Sequence, residues 1–243
     1  MKKISISFGA IILASLVFVF AAAKNNHTAN ASYIAPVVAT EATEGFAAQQ
    51  LYTELDLKTA GLNEDVFFSA VKGLKKLNES GSIKRDDVIT IIDFSQPSTQ
   101  KRLYVADLKN KKVLFNTFVA HGKNSGNLLP KSFSNLNSSL KSSPGFYSTA
   151  ETYFGGHGYS LRLDGLEKNI NDNARSRAIV MHGAPYAGNG AVKALGRLGK
   201  SWGCPAVPTE LTKPIINAIK DGSCLFIYTP EAGYSQNSTI MNS

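Results

Sequence analysis

The hydrophobic period of this chain changes at Gly81, and that change limits the folds open to it. Upstream, residues 46–60 (FAAQQLYTELDLKTA) and 64–78 (EDVFFSAVKGLKKLN) repeat apolar side chains at helical spacing, which predicts two amphipathic helices, the second capped by Asn63. Downstream, VITIIDF (88–94), KRLYVADL (101–108) and KVLFNTFVA (113–120) are β-branched or aromatic runs parted by polar turns, the pattern of antiparallel strands. Further strands are predicted over 145–154, 159–165, 178–183 and 224–230, and a short helix over 209–220 with Thr209 as its cap. In the 159–165 run, Tyr159, Leu161 and Leu163 alternate with Ser160, Arg162 and Asp164. Two stretches have no period: 121–143, rich in Gly, Ser, Asn and Lys, and the Gly-rich link between His182 and Cys204. A loop as long as the first is functional or disordered. The fold expected is mainly β, with a small helical preface over 45–80 and a β-rich domain over 81–231.

The ends of the chain read differently. Lys2 and Lys3 precede an apolar run from Ile4 to Ala23 that closes on three alanines, the pattern of a cleaved secretory signal over 1–23. The competing reading is a membrane anchor, since the run approaches the length that spans a bilayer. No cysteine stands near the boundary to carry a lipid. Residues 24–44 are expected to be a flexible leader and 232–243 a disordered tail. The formal charge is +8, from lysines scattered rather than striped, which suits an anionic cell envelope better than nucleic acid. Two cysteines in an exported chain would by default be paired.

A thiol becomes a nucleophile when it is partly ionised beside a base or a positive field. Cys204 is the better candidate, because Gly203 before it leaves backbone room and Pro205 fixes the chain after it. Cys224 lies inside an apolar strand, where a thiol is an inert core residue. His182, at the end of the 178–183 strand and followed by Gly183, is placed to be the base. His121 and His157, each also followed by Gly, line the cleft or cap turns, and His27 falls in the leader. The Cys and His residues make no tight ligand cluster, so neither a metal nor an organic cofactor is implied.

VMHG at 180–183 followed by SWGCPA at 201–206 resembles the signature of the L,D-transpeptidase (YkuD-type) catalytic domain, closest to its murein L,D-transpeptidase branch. HGKNSG, FSN, SSPGFYST, GGHGYSLRLDGLE, IVMHGAPY and GRLGKSWGCPAVP carry the likeness in order over residues 85–230. The resemblance implies a two-sheet, sandwich-like β domain with short helices. It also implies Cys204 as nucleophile, His182 as base, the Gly183 carbonyl holding the imidazole, and the Gly203 and Cys204 amides as oxyanion donors. The implied reaction is attack on the third-residue carbonyl of a peptidoglycan tetrapeptide stem, release of D-Ala, and passage of the acyl group to an amine or to water. An exported, periplasmic or envelope-associated location follows from it. Two positions depart from the pattern: Trp202 stands where many relatives have His, and Ala206 where many have Arg. A carboxylate-binding cation would then come from Arg162, Arg197 or Lys200, with Ser201, Trp202, His157 and His121 as further substrate contacts. The long His-to-Cys interval suggests an extended lid.

Three other readings compete. A papain-like or NlpC-like peptidase places its Cys ahead of its His, the reverse of the order here. A non-catalytic wall-binding protein would keep the fold without the chemistry, and a disulfide-stapled domain would join Cys204 to Cys224. The sequence leaves open the stem residue preferred, the role of the helices and the oligomeric state.

Overall fold

A computed structural model describes residues 35–242. The signal predicted over 1–23 and the start of the leader lie outside the described residues. The chain divides into two units, Met1–Phe46 and Ala47–Ser243. Of the first, what is described is the opening of helix α1 (Ala35–Glu54), so the leader expected to be flexible up to residue 44 is helical from Ala35. The helix predicted over 46–60 is broken: Asp56 adopts a left-handed conformation (φ 49°), and a separate turn, α2 (Leu57–Ala60), follows it. Helix α3 (Glu64–Glu79) starts where predicted, with the Asn63 side chain accepting a hydrogen bond from the Asp65 amide.

Eight strands follow: β1 (Arg85–Asp93), β2 (Leu103–Asp107), β3 (Lys112–Thr117), β4 (Gly145–Gly155), β5 (Gly158–Gly165), β6 (Val180–Gly183), β7 (Ala206–Val207) and β8 (Ser223–Tyr228). A 3-10 turn (Pro185–Ala187) and helix α4 (Asn189–Leu195) occupy the link between β6 and β7, and α5 (Thr209–Ile219) joins β7 to β8. Pro208, not Thr209, occupies the N-cap of α5. The mainly β architecture with short helices is as expected. The expected two sheets are one continuous hydrogen-bonded sheet in the order β3-β2-β1-β8-β4-β5-β6-β7. Its two ends meet where Ala120, just past β3, donates its amide to the Ala206 carbonyl of β7 at 2.8 Å, which curls the sheet into a sandwich-like body. The pairing is mixed: β1 runs parallel to β8, and β6 parallel to β7.

Alternation along the strands feeds two cores. Ile89 and Ile91 of β1, Tyr104 of β2, Phe146 of β4 and Phe226 of β8 pack with α3 through Phe67, Ala70 and Leu74. The Phe146 and Phe226 rings stack at 4.2 Å, and a Cβ at Gly73 of α3 would stand 2.0 Å from Phe146, so glycine there lets the helix lie on the ring. The opposite face gathers Val105, Tyr147, Leu161, Leu163, Met181 and Leu225 beneath Ile215, Ile216 and Ile219 of α5. β6 is therefore anchored through Met181, and its alternate residues Val180 and His182 face away from that core.

The C-terminal stretch expected to be disordered is ordered as α6 (Ala232–Asn237) and α7 (Thr239–Asn242). Its anchor is Glu167, a buried carboxylate that accepts from the Phe146 amide (2.7 Å), the Tyr234 hydroxyl (3.2 Å) and the Ser238 hydroxyl. Ile240 and Met241 add apolar contact to the α3-side core. A polar tail is ordered here by one buried acceptor satisfying three donors. Glu167→Ala orphans those donors and is expected to cost about 3 kcal/mol of unfolding free energy, read as a lowered urea midpoint. An unchanged midpoint would show that α6 and α7 hold to the domain by other means.

Candidate active site

The site is built where β6 runs beside β7. His182 pairs with Ala206 across these parallel strands and with Ser160 of β5 on the other side. Its ring is oriented by the chain itself: Nδ1 lies 3.0 Å from the Gly183 carbonyl oxygen. A carbonyl can only accept, so Nδ1 carries the proton and Nε2 keeps its lone pair as a base. Gly183 is glycine for a packing reason, because a Cβ there would stand 2.3 Å from the Thr212 hydroxyl of α5.

Cys204 lies two residues ahead of the β7 partner of His182. The Val180 amide donates to its sulfur at 3.4 Å, and the thiol faces the Ala178 carbonyl at 3.7 Å. Thiol and imidazole are thus carried on neighbouring backbones, with Val180 two residues before His182 on one strand. Both cysteines are free thiols, which rules out the disulfide-stapled reading, and Cys224 is fully buried in β8. The loop before Cys204 is knotted by Ser201, whose hydroxyl donates to the Cys204 carbonyl at 2.6 Å and accepts from the Gly203 amide at 3.1 Å. The Gly203 amide expected as an oxyanion donor is therefore already engaged. Gly203 has φ +127°, and a Cβ would meet the Lys141 carbonyl at 2.7 Å, so only glycine allows this approach.

Burial pushes the Cys204 thiol above its ordinary value of 9.0; the Val180 amide, Arg177 and its own amide pull it back. Burial lowers His182 from 6.5, opposed by its bond to Gly183 and aided by His157. Both shifts favour a neutral thiol beside a neutral imidazole at rest. Two residues that the sequence did not single out, Arg177 and Tyr186, lie close enough to Cys204 to couple to it electrostatically. Arg177 sits in no recognisable motif, and Tyr186 closes the IVMHGAPY segment without having been singled out. Arg177 is in the irregular stretch before β6, and Tyr186 follows it.

The other expected residues divide clearly. His157, at the β4–β5 turn, stacks on His182 with ring centroids 4.2 Å apart. Arg162 pairs in register with Val180, so it shares the face of His182; it is held by Glu151 (3.3 Å) and lies over Tyr153. Trp202 is 77% exposed beside the nucleophile. His121 does not belong to the site. It is buried, its Nδ1 accepts from Arg102 at 2.8 Å, and its Nε2 donates to the Gly126 carbonyl at 3.3 Å, so both ring nitrogens are spent. Burial holds it at about 4, hence neutral. Lys200 is committed to the Gly126 carbonyl and Asn127, and Arg197 to the Leu198 carbonyl. Lys200 thereby braces the 121–127 loop, while Arg197 bonds within its own segment. Among the described residues no group of three or more His, Cys, Asp or Glu could hold a metal, and no helix is long and apolar enough to cross a membrane.

Residues 58–228 match the L,D-transpeptidase catalytic domain. No curated protein matches the chain. Solved structures similar to it include an L,D-transpeptidase from Mycobacterium smegmatis (13% identity, 59% of each chain covered, TM-score 0.38). Others are the helical cell shape determining protein Pgp2 from Campylobacter jejuni (18% identity, 59% of this chain and 48% of that chain, TM-score 0.38) and L,D-transpeptidase 3 from Mycobacterium tuberculosis in complex with a faropenem-derived adduct (16% identity, 59% and 60%, TM-score 0.36). The match spans less than two thirds of the length of each of these chains.

Because burial pushes the thiol up from its ordinary value, its thiolate is scarce at neutral pH. Iodoacetamide is expected to label Cys204 and spare Cys224 in the folded protein, at a rate that keeps climbing beyond pH 9. Peptide mass analysis reads both, and a rate already level by pH 7 would contradict the burial argument.

Proposed function

The chain belongs to the L,D-transpeptidase catalytic domain family, and from that premise we propose that it is a cysteine acyltransferase acting on peptidoglycan stem peptides. Cys204 attacks the carbonyl of the third residue of a tetrapeptide stem, and the terminal D-Ala leaves. The acyl group then passes to an amine of a neighbouring stem, forming a 3-3 cross-link, or to water. The observation that supports this reading is an imidazole whose Nδ1 proton is fixed on the Gly183 carbonyl, on a strand whose Val180 amide contacts the free Cys204 thiol. That tautomer presents Nε2 as the acceptor for the thiol proton without a carboxylate behind it. At rest the thiol faces Ala178, so transfer requires it to turn toward the ring as substrate enters. Apo geometry of this kind commonly tightens in the substrate complex.

The remaining roles follow from position. With the Gly203 amide bound to Ser201, the Cys204 amide, which at rest acts on its own sulfur, is the loop's remaining donor to a developing oxyanion. Ser201 fixes the nucleophile loop. Exposed Trp202 forms a wall for the incoming stem, while His157 and Arg162, on the His182 face, contact its polar groups. The net positive charge favours approach to an anionic wall polymer, and the proposed place of action is the cell envelope.

Incubation with purified tetrapeptide muropeptides, with products separated by mass, tests the proposal. The native protein should release D-Ala and give either cross-linked or trimmed product. Cys204→Ala should abolish both with the fold intact, and His182→Ala should slow turnover by about 10²–10⁴-fold. Turnover that survives Cys204→Ala would show that the chemistry lies elsewhere.

A further inference from the structure

A cation with no anionic partner among the described residues sits beside the proposed nucleophile. Arg177 is half-buried in the approach to β6, and the described hydrogen bonds of its side chain go to neutral acceptors on the long serine-rich loop. Nη1 donates to the Ser134 carbonyl (2.8 Å) and the Ser143 hydroxyl (2.5 Å), and Nη2 to the Lys141 carbonyl (2.7 Å) and the Ser139 hydroxyl (3.2 Å). Among the described residues no carboxylate pairs with it. The guanidinium reaches the nucleophile loop: a Cβ at Gly203 would stand 3.4 Å from Nη2, and Lys141, which Nη2 grips, presses its carbonyl against that same glycine.

We infer that Arg177 is a positioning residue which supplies the positive field for the Cys204 thiolate and whose placement is set by the 134–143 loop. The inference rests on Cys204 being the nucleophile. Neutral acceptors hold the guanidinium in place without cancelling its charge, so the field is left for the sulfur. The titratable or charged groups coupled to that sulfur are Arg177 and, on the 3-10 turn, Tyr186, while His182 on the neighbouring β6 carries His157 stacked on it. Of these, Arg177 alone carries a permanent charge. Its effect on the thiol opposes burial, and the coupling is mutual, since the sulfur in turn favours the charged guanidinium. The loop expected from sequence to be either functional or disordered thereby gains a role: it closes on an arginine rather than on substrate.

The test is the pH profile of Cys204 alkylation by iodoacetamide in the full chain, followed by peptide mass analysis, with no substrate present. Arg177→Gln should move the profile to higher pH and lower the rate at pH 8 by roughly tenfold, the change that one unit in a thiol pKa produces. Arg177→Lys should recover most of that rate. Ser139→Asp keeps the arginine but places a carboxylate against it, and should reproduce the slow profile even if Arg177→Gln does not fold. Native-like profiles in Arg177→Gln and Ser139→Asp, or equal loss in Arg177→Lys and Arg177→Gln, would overturn the inference and reduce Arg177 to a loop fastener. A native Cys204 that no pH renders reactive would overturn the nucleophile assignment as well.

Discussion

The parallel pairing of β6 with β7 is the constraint from which the site follows. Parallel strands need a long crossover, and here the crossover is the Gly-rich segment from Ala184 to Pro205, containing the 3-10 turn and α4. Because His182 is in register with Ala206, the residues just ahead of β7 must run alongside those just ahead of His182. The Val180 amide then meets the Cys204 sulfur without further adjustment. β7 is only two residues long, yet it is held from both sides, by β6 and by the Ala120 bridge that closes the sheet. Slipping β7 by one residue in that register would turn Val207 out of the core it shares with Met181.

Burial and charge pull against each other around the sulfur. Burial desolvates the Cys204 thiol and resists ionisation, while two amides and a guanidinium favour the ion. Burial wins at rest, so under the proposed function the thiol would ionise during the reaction rather than before it. The same opposition governs Arg102, a fully buried arginine whose side-chain donors are spent on the Gln96 and Val119 carbonyls and on His121. There it fixes the wall of the fold, and His121 is consumed in satisfying it.

Local patterns were legible in the sequence and long-range ones were not. The strand alternation around Leu161 and Leu163, the Asn63 cap and the inertness of Cys224 depend on near neighbours and could be read directly. The expectations for His182 and Cys204 came from their immediate neighbours and the family resemblance, and the strand register sets their backbones side by side. The parallel β1–β8 pair joins residues more than a hundred positions apart, and no local signal announces it. The C-terminal helices looked disordered because Glu167, their anchor, is remote in sequence. His121 looked like a site residue because HG pairs look alike; what separates it from His182 is the Arg102 guanidinium on its Nδ1. Arg177 was invisible for the opposite reason, since its partners are main-chain carbonyls and serines that carry no pairing signature.

The claim on which the account turns is that the Gly183 carbonyl fixes the imidazole of residue 182 with its proton on Nδ1 and its basic nitrogen free. Nitrogen-15 NMR of the ring in native protein reads tautomer and charge together. The account predicts a neutral ring at pH 7, protonated on Nδ1, that gains its second proton below pH 6.5, in keeping with its lowered value. A ring protonated on Nε2, or an imidazolium at pH 7, would contradict it.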